Sequence, residues 1–149
     1  MTRSLEFLAP DATIRDAAVL MGDLDVGSLP VGAANDLQGI ITDRDILLRV
    51  VAEGREPGRV RVREAMSTTL FTCRADDSLE TAIDMMGAYH VRRLPVMDEA
   101  GVMVGWLTLS DVSRRLLLDS GAVRDALAGL SEAPADDLGA PPGPPAARA

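Results

Sequence analysis

The chain has 149 residues, of which 47% are apolar but only 3% aromatic, so aliphatic side chains and methionine must form its core. Its formal charge of −8 argues against a general binder of nucleic acids or anionic membranes. One cysteine, Cys73, excludes an internal disulfide and fits a reducing compartment. No segment resembles a signal peptide or supplies the roughly 20 apolar residues of a membrane span. The sequence therefore predicts a soluble, cytoplasmic protein.

The sequence repeats itself at an offset of 65 or 66 residues. Residues 11–18 (DATIRDAA) align with residues 76–83 (DDSLETAI), and the Leu-Pro-Val that begins at Leu29 aligns with the one that begins at Leu94. The heptapeptide 39–45 (GIITDRD) aligns with 105–111 (GWLTLSD). Three landmarks in the same order indicate two copies of one structural unit.

The first copy opens with an acidic and hydroxyl cluster that predicts a helix start, and apolar residues at positions 14, 17, 18 and 21 follow the helical period. Strands at 28–31 and 39–42 flank a polar turn at 32–37 that contains glycine. A helix is predicted over 43–52. Residues 53–63 are polar and carry two glycines and a proline, which predicts an exposed linker.

The second copy follows the same order. A short helix at 62–66 leads into a strand around Cys73, a helix that starts near residue 78, strands at 93–97 and 102–108, and a helix at 110–119. A further helical stretch is predicted at 121–130, and the Pro-, Ala- and Gly-rich residues 131–149 predict disorder. The predicted organisation is a first repeat with its linker at 1–58, a second repeat at 59–119 and a tail at 120–149.

The expected fold is of the α/β (α+β) class. Each copy is a strand–helix–strand–strand–helix unit of about 50 residues, a size at which a lone hydrophobic core is marginal. Two pseudo-symmetric units packed sheet to sheet would bury both cores, which is a physical reason for the duplication.

The motif Gly-apolar-apolar-Thr-x-x-Asp, present at 39–45 and 105–111, resembles the signature of cystathionine-β-synthase-type (CBS) domains. The approach to the second Leu-Pro-Val, residues 90–96 (HVRRLPV), is similar to the same family, and the resemblance covers residues 5–118. It implies a tandem CBS pair: a regulatory, non-enzymatic module that binds an adenine nucleotide. AMP, ADP or ATP is the implied ligand, S-adenosylmethionine and NAD are further candidates, and no cofactor is obligatory.

Two interpretations of the paired threonines and aspartates stay open at this point. Thr42 with Asp45, and Thr108 with Asp111, have the spacing of helix capping boxes, in which each side chain satisfies a free backbone N–H. The resemblance instead implies that each carboxylate accepts the ribose hydroxyls of a ligand, while the threonine contacts ribose or phosphate.

Arg92 and Arg93 have no basic counterparts in the first copy, where Gly27 and Ser28 stand at the equivalent positions. A guanidinium is well suited to phosphate, and basic residues at this place contact nucleotide phosphates in the family that the chain resembles. One strong site per chain is therefore expected. Its ribose would lie at Thr42 and Asp45 and its base near residues 70 and 71 (Leu70 and Phe71), with Arg44 as a further phosphate contact. The second cleft, with Thr108 and Asp111, would be weaker or empty.

An alternative function is a structural or oligomerisation module with vestigial clefts. Apolar patches at 46–48 and 116–118 would form the faces of a homodimer. With no effector domain in the sequence, the signal of a sensor is expected to pass in trans or through the tail, to a partner protein or into the oligomeric state. His90, the only histidine, has no ligand cluster at metal spacing, and it is expected to be a helix-end residue. Cys73 is expected to be a core thiol.

Overall fold

The computed structural model describes residues 5–121 and residue 125. Residues up to Val112 belong to one compact unit, and those from Ser113 onwards belong to a second. The predicted tail at 120–149 lies outside the described residues, apart from positions 120, 121 and 125. No helix in the described part of the chain is both long and apolar enough to cross a bilayer.

The first repeat begins with helix α1 (Ile14–Leu24), strand β1 (Ser28–Ala33) and strand β2 (Asp36–Thr42). A reciprocal capping box starts α1: the Thr13 hydroxyl accepts from the Asp16 N–H at 3.1 Å, and the Asp16 carboxylate accepts from the Thr13 N–H at 2.9 Å. These hydrogen bonds lower the pKa of Asp16. The hairpin turn is tighter than predicted, because the two strands extend to Ala33 and from Asp36.

The first sheet contains β1 and β2 in antiparallel register, with a bulge after Val31. Its predicted opening strand is reduced to one parallel bridge, where the Leu8 N–H donates to the Pro30 carbonyl and Leu8 accepts from the Gly32 N–H, both at 2.9 Å. Gly32 has a φ of 113°, and a Cβ there would approach the Asp36 carbonyl oxygen to 2.2 Å. Only glycine fits this turn of the chain.

The helix predicted over 43–52 is present but irregular. Residues Asp43–Ile46 form α2, and Leu47–Val51 continue as a π-helix. The apolar pattern of the sequence does not distinguish an α-helical from a π-helical turn here, because Val50 is the one residue of Leu47–Val51 that is buried. Leu47, Leu48 and Val51 stay exposed.

The second repeat mirrors the first in its hairpin and adds a parallel strand. Its elements are β3 (Cys73–Arg74), α4 (Leu79–Tyr89), β4 (Arg93–Met97), β5 (Met103–Thr108) and α5 (Leu109–Asp119). β3 pairs parallel to β4, and β4 pairs antiparallel to β5. Cys73 is buried in the second core, which confirms the expectation of a core thiol, and this burial raises the pKa of the thiol.

The pseudo-symmetry extends to the ends of the two long helices. Asp25 closes α1 and His90, 65 residues later, closes α4, and both adopt the left-handed conformation, with φ of 53° and 54°. The cap N–H of each bonds back to the last turn. His90 is therefore a helix-end residue, as predicted, and it is exposed.

Each repeat has its own apolar core. The first is built on residues such as Ile14, Leu29, Ile41 and Val50, and the second on residues such as Met86, Leu94 and Val112. Their periodic spacing follows the predicted helix and strand faces.

The linker is less exposed than predicted. Val60 is 4% exposed and belongs to the first core, and its carbonyl accepts from the Ile14 N–H at 2.9 Å. Helix α3 (Val62–Ala65) follows and buries Val62 and Ala65. The expectation of an exposed linker over 53–63 is therefore wrong at Val60 and Val62, because these two valines anchor the linker on the first repeat.

Candidate functional site

A cavity of about 860 Å³ lies between the two repeats, within the unit that ends at Val112. Three stretches of chain line it: the end of β2 with the start of α2, the linker that leaves α3, and the segment from the end of α4 to the start of β4. Its basic side chains are Arg44, Arg49, Arg92, Arg93 and His90, and its one carboxylate is that of Asp43.

The first wall carries the Thr42–Asp45 motif, which forms a complete capping box. The Asp45 Oδ2 accepts from the Thr42 N–H at 3.0 Å and from the Thr42 hydroxyl at 2.9 Å, and Thr42 Oγ1 accepts from the Asp45 N–H at 3.1 Å. Thr42 lines the cavity, whereas its box partner Asp45 does not line it and has 14% of its side chain exposed. The capping interpretation is thus realised, and Asp45 Oδ1 takes no part in the box.

Arg49 connects this wall to the linker. Its Nη1 donates to the carbonyls of Ala65 at 2.7 Å and Met66 at 3.1 Å, which are the carbonyls at the end of α3. Its Nη2 lies 3.7 Å from Asp45 Oδ1. The guanidinium therefore satisfies carbonyls that a helix end leaves without partners and places a positive charge beside the capping carboxylate.

The linker forms the second wall because it pairs with the edge of β2. Ile40 and Ser67 exchange both backbone hydrogen bonds, at 3.0 and 2.9 Å. A Cβ at Gly39 would stand 2.6 Å from Met66 Sδ and 2.9 Å from the Ser67 carbonyl oxygen, so only glycine permits this approach. The pairing lines the cavity with three consecutive hydroxyl side chains, Ser67–Thr69.

Phe71 supplies an aromatic surface to the cavity. Its ring stacks on Tyr89 with centroids 4.1 Å apart and planes at 13°, and it packs against the second core. Leu70, the other residue predicted near a base, is half-buried and does not line the cavity.

The third wall contains Arg92 and Arg93, which differ in their surroundings. The Arg93 guanidinium donates through Nη1 to the hydroxyl of Ser28 in the first repeat. Arg92 is exposed, and its side chain makes no hydrogen bond or ion pair with any residue that the structure describes. Arg44 likewise has no side-chain hydrogen bond or ion pair among the described residues, so both guanidinium groups line the cavity without a partner from that part of the chain.

The second Thr–Asp motif repeats the geometry of the first. Asp111 Oδ2 accepts from the Thr108 N–H at 3.0 Å and from the Thr108 hydroxyl at 2.8 Å, and the Asp111 N–H donates to Thr108 Oγ1 at 3.1 Å. Neither residue lines the cavity described above. The two motifs are structurally equivalent, but only the first borders this cavity.

Of the nine predicted site residues, the structure brings five together around the cavity: Thr42, Arg44, Phe71, Arg92 and Arg93. Asp45 is connected to it through Thr42. Arg49 and the hydroxyl run 67–69 also line the cavity and were not among the predicted site residues. The run itself was a visible signal, whereas the role of Arg49 depends on carbonyls 16 and 17 residues away. Within residues 5–121 and 125, no cluster of three His, Cys, Asp or Glu side chains has the geometry to hold a metal ion.

Comparison with known proteins gives a family match. The model of the CBS domain matches residues 1–52 and 62–118. Among curated relatives, the CBS domain-containing protein YhcV of Bacillus subtilis is 41% identical over 113 residues, which cover 76% of this chain and 79% of the relative.

Solved structures give the same answer. A proposed signal-transduction protein with CBS domains from Burkholderia ambifaria superposes with a TM-score of 0.73 at 27% identity, over 79% of this chain and 86% of that one. A hexameric CBS-CP12 protein from bloom-forming cyanobacteria gives a TM-score of 0.71 at 25% identity, over 89% and 79% of the two chains.

Proposed function

This chain belongs to the family of CBS-domain proteins, and we propose that it is a regulatory module that binds an adenine nucleotide in the cavity between its repeats and performs no catalysis. The observation that carries the proposal is the charge of the cavity. A chain with a formal charge of −8 gathers four arginines around one cavity that contains a single carboxylate. A basic cavity on an acidic protein attracts an anionic ligand selectively.

The phosphate groups of the ligand would lie against Arg44 and Arg92, with Arg93 beside them. Guanidinium groups bind phosphate oxygens in bidentate fashion, and the side chains of Arg44 and Arg92 have no competing partners among the described residues. The same charge disfavours S-adenosylmethionine, whose sulfonium is positive, so AMP, ADP or ATP is the preferred ligand and NAD, with its pyrophosphate, a further candidate.

The remaining surfaces suit a nucleoside. Ile40, Met66, Val91 and the ring of Phe71 supply apolar area for a base. Thr42 and the hydroxyl run 67–69 supply polar groups beside it. Asp45 would accept a ribose hydroxyl through Oδ1, the oxygen that the capping box leaves unused. A volume of about 860 Å³ is sufficient for a nucleotide.

Regulation would follow from the position of the cavity. A ligand that contacts Arg44 in the first repeat and Arg92 in the second binds best to one arrangement of the two repeats, and it shifts the population towards that arrangement. The output would pass to an effector protein in trans or into self-association.

Thermal unfolding with AMP, ADP, ATP, NAD, S-adenosylmethionine and adenosine, with and without magnesium, tests the proposal. A ligand at about 100 times its Kd stabilises the native state by about 2.7 kcal/mol, so we expect Tm to rise by several degrees with a phosphorylated nucleotide. The rise should be smaller for adenosine and S-adenosylmethionine, and it should shrink in Arg92→Ala. An equal response to ADP and adenosine would contradict the phosphate site, and steady nucleotide hydrolysis would contradict the absence of catalysis.

A second candidate function is self-association without a ligand. Exposed apolar side chains at Leu47, Leu48 and Val51, and on α5 at 116–118, favour it, and a structural neighbour is hexameric. Failure of every nucleotide to raise Tm, together with a mass that grows with protein concentration, would favour this candidate over the sensor.

A further inference from the structure

The first residues of β1 and β4 meet where the two repeats approach each other. Ser28 and Arg93 hold equivalent positions 65 residues apart, and Nη1 of Arg93 donates to the hydroxyl oxygen of Ser28. Ser28 is 7% exposed and is the buried polar residue of the described chain. A buried hydroxyl requires a hydrogen-bond partner, and the guanidinium of the other repeat is that partner.

This contact depends on the two repeats being different. Arginine at both positions would bring two like charges together in a partly buried place, which is unfavourable. Serine at both positions would remove one cation from the cavity wall. The pair of one serine and one arginine satisfies the buried hydroxyl and keeps a single positive charge there.

Arg93 lines the cavity, whereas Ser28 does not. A guanidinium has five N–H donors in a rigid plane, and the bond to Ser28 occupies one of its two terminal nitrogens. That bond restricts the rotamers of a long side chain before any ligand arrives, and a group already ordered loses less entropy on binding.

On these contacts we infer that Ser28 is a positioning residue for phosphate: it orients the Arg93 guanidinium towards the cavity without contacting the ligand. The inference rests on the proposed function, because it assumes that a phosphate group occupies the cavity. Ser28 would thus affect ligand affinity although it belongs to the other repeat from Arg93 and does not line the cavity.

The test is a double-mutant cycle in the full chain, with Kd for ADP and for adenosine measured by calorimetry. Ser28→Ala should weaken ADP binding about 5- to 10-fold, the effect of losing one hydrogen bond, and should leave adenosine binding nearly unchanged. Arg93→Ala should weaken ADP more strongly. In the Arg93→Ala background, Ser28→Ala should have no further effect on ADP affinity.

Two controls separate positioning from folding. Ser113→Ala removes an exposed serine on α5 that is not among the residues lining the cavity, and should retain both affinities. Ser28→Thr retains the hydroxyl and should keep the wild-type ratio of ADP to adenosine affinity. That ratio is measured within each variant, so a lower folded fraction does not change it.

The outcomes distinguish this inference from the proposed function. A wild type that does not prefer ADP to adenosine overturns the phosphate site and the inference together. A wild type that prefers ADP, with the same preference retained in Ser28→Ala, overturns the inference alone. A further loss of ADP affinity on adding Ser28→Ala to Arg93→Ala also overturns it, because Ser28 would then act by another route.

Discussion

At the scale of single residues, Asp45 serves the helix and has capacity left for a ligand. Its Oδ2 accepts two hydrogen bonds from Thr42, while its Oδ1 lies 3.7 Å from Arg49 Nη2. Thr13 and Asp16 make the same box at the start of α1, and neither lines the cavity. The Thr13–Asp16 box is therefore a control for the Thr42–Asp45 box, because of these two the Thr42–Asp45 box borders the cavity.

Asp45→Ala should weaken ADP binding by about 2–3 kcal/mol, or roughly 30- to 150-fold, because it removes a charged acceptor of ribose hydroxyls. Asp16→Ala removes the equivalent capping carboxylate and should leave ADP affinity unchanged. Calorimetric titration gives the affinities, and thermal unfolding checks that both variants fold with a similar, modest loss of Tm. Equal affinities in the two variants would contradict a ligand role for Asp45.

At the scale of elements, the cavity depends on how the linker pairs with β2. The two hydrogen bonds between Ile40 and Ser67 hold the linker against the sheet, and Gly39 leaves room for Met66. The glycine of the Gly-apolar-apolar-Thr-x-x-Asp motif thus has a packing reason, because a side chain there would push away the linker that forms the second wall.

Gly39→Ala should lower the free energy of unfolding by about 1–3 kcal/mol, the usual cost of overpacking, and should weaken ADP binding. Gly22→Ala is the matched control, since Gly22 lies in α1 and a Cβ there meets nothing within 4 Å. Alanine favours a helix over glycine by about 1 kcal/mol, so this variant should be slightly more stable. Urea unfolding measures both changes, and unaltered stability in Gly39→Ala would contradict the close packing.

At the scale of the whole molecule, the exposed apolar side chains indicate self-association. Leu47 is 57% exposed and Leu117 49% exposed, each among other exposed aliphatic residues. Clustered apolar side chains of this kind mark interaction surfaces. The predicted homodimer stays a prediction, and a structural neighbour of this chain is hexameric.

Sedimentation velocity should therefore show a dimer or larger species for the wild type. Leu47→Asp and Leu117→Asp should shift the population towards monomer, because a charge at an apolar interface is costly to bury. Val19→Asp, at an equally exposed position on α1 (57%), is the control and should leave the assembly unchanged. A wild type that stays monomeric at high concentration would overturn this prediction.

The sequence by itself determined the local structure. Helical spacing after residue 13, the two Leu-Pro-Val strands and the Thr-x-x-Asp motifs depend on neighbours a few positions apart, so a pattern read along the chain captures them. The repeat predicted two similar units, and the absence of a basic residue at 27 and 28 predicted that their clefts would differ.

Tertiary structure decided which residues meet. Arg93 reaches Ser28 across 65 residues, Arg49 reaches the carbonyls of Ala65 and Met66, and Val60 turns a predicted exposed linker into part of the first core. Periodicity shows which face of an element is buried but not what packs against it. The walls of the cavity are formed by segments that are distant along the chain, and the sequence carries no local signal for such packing.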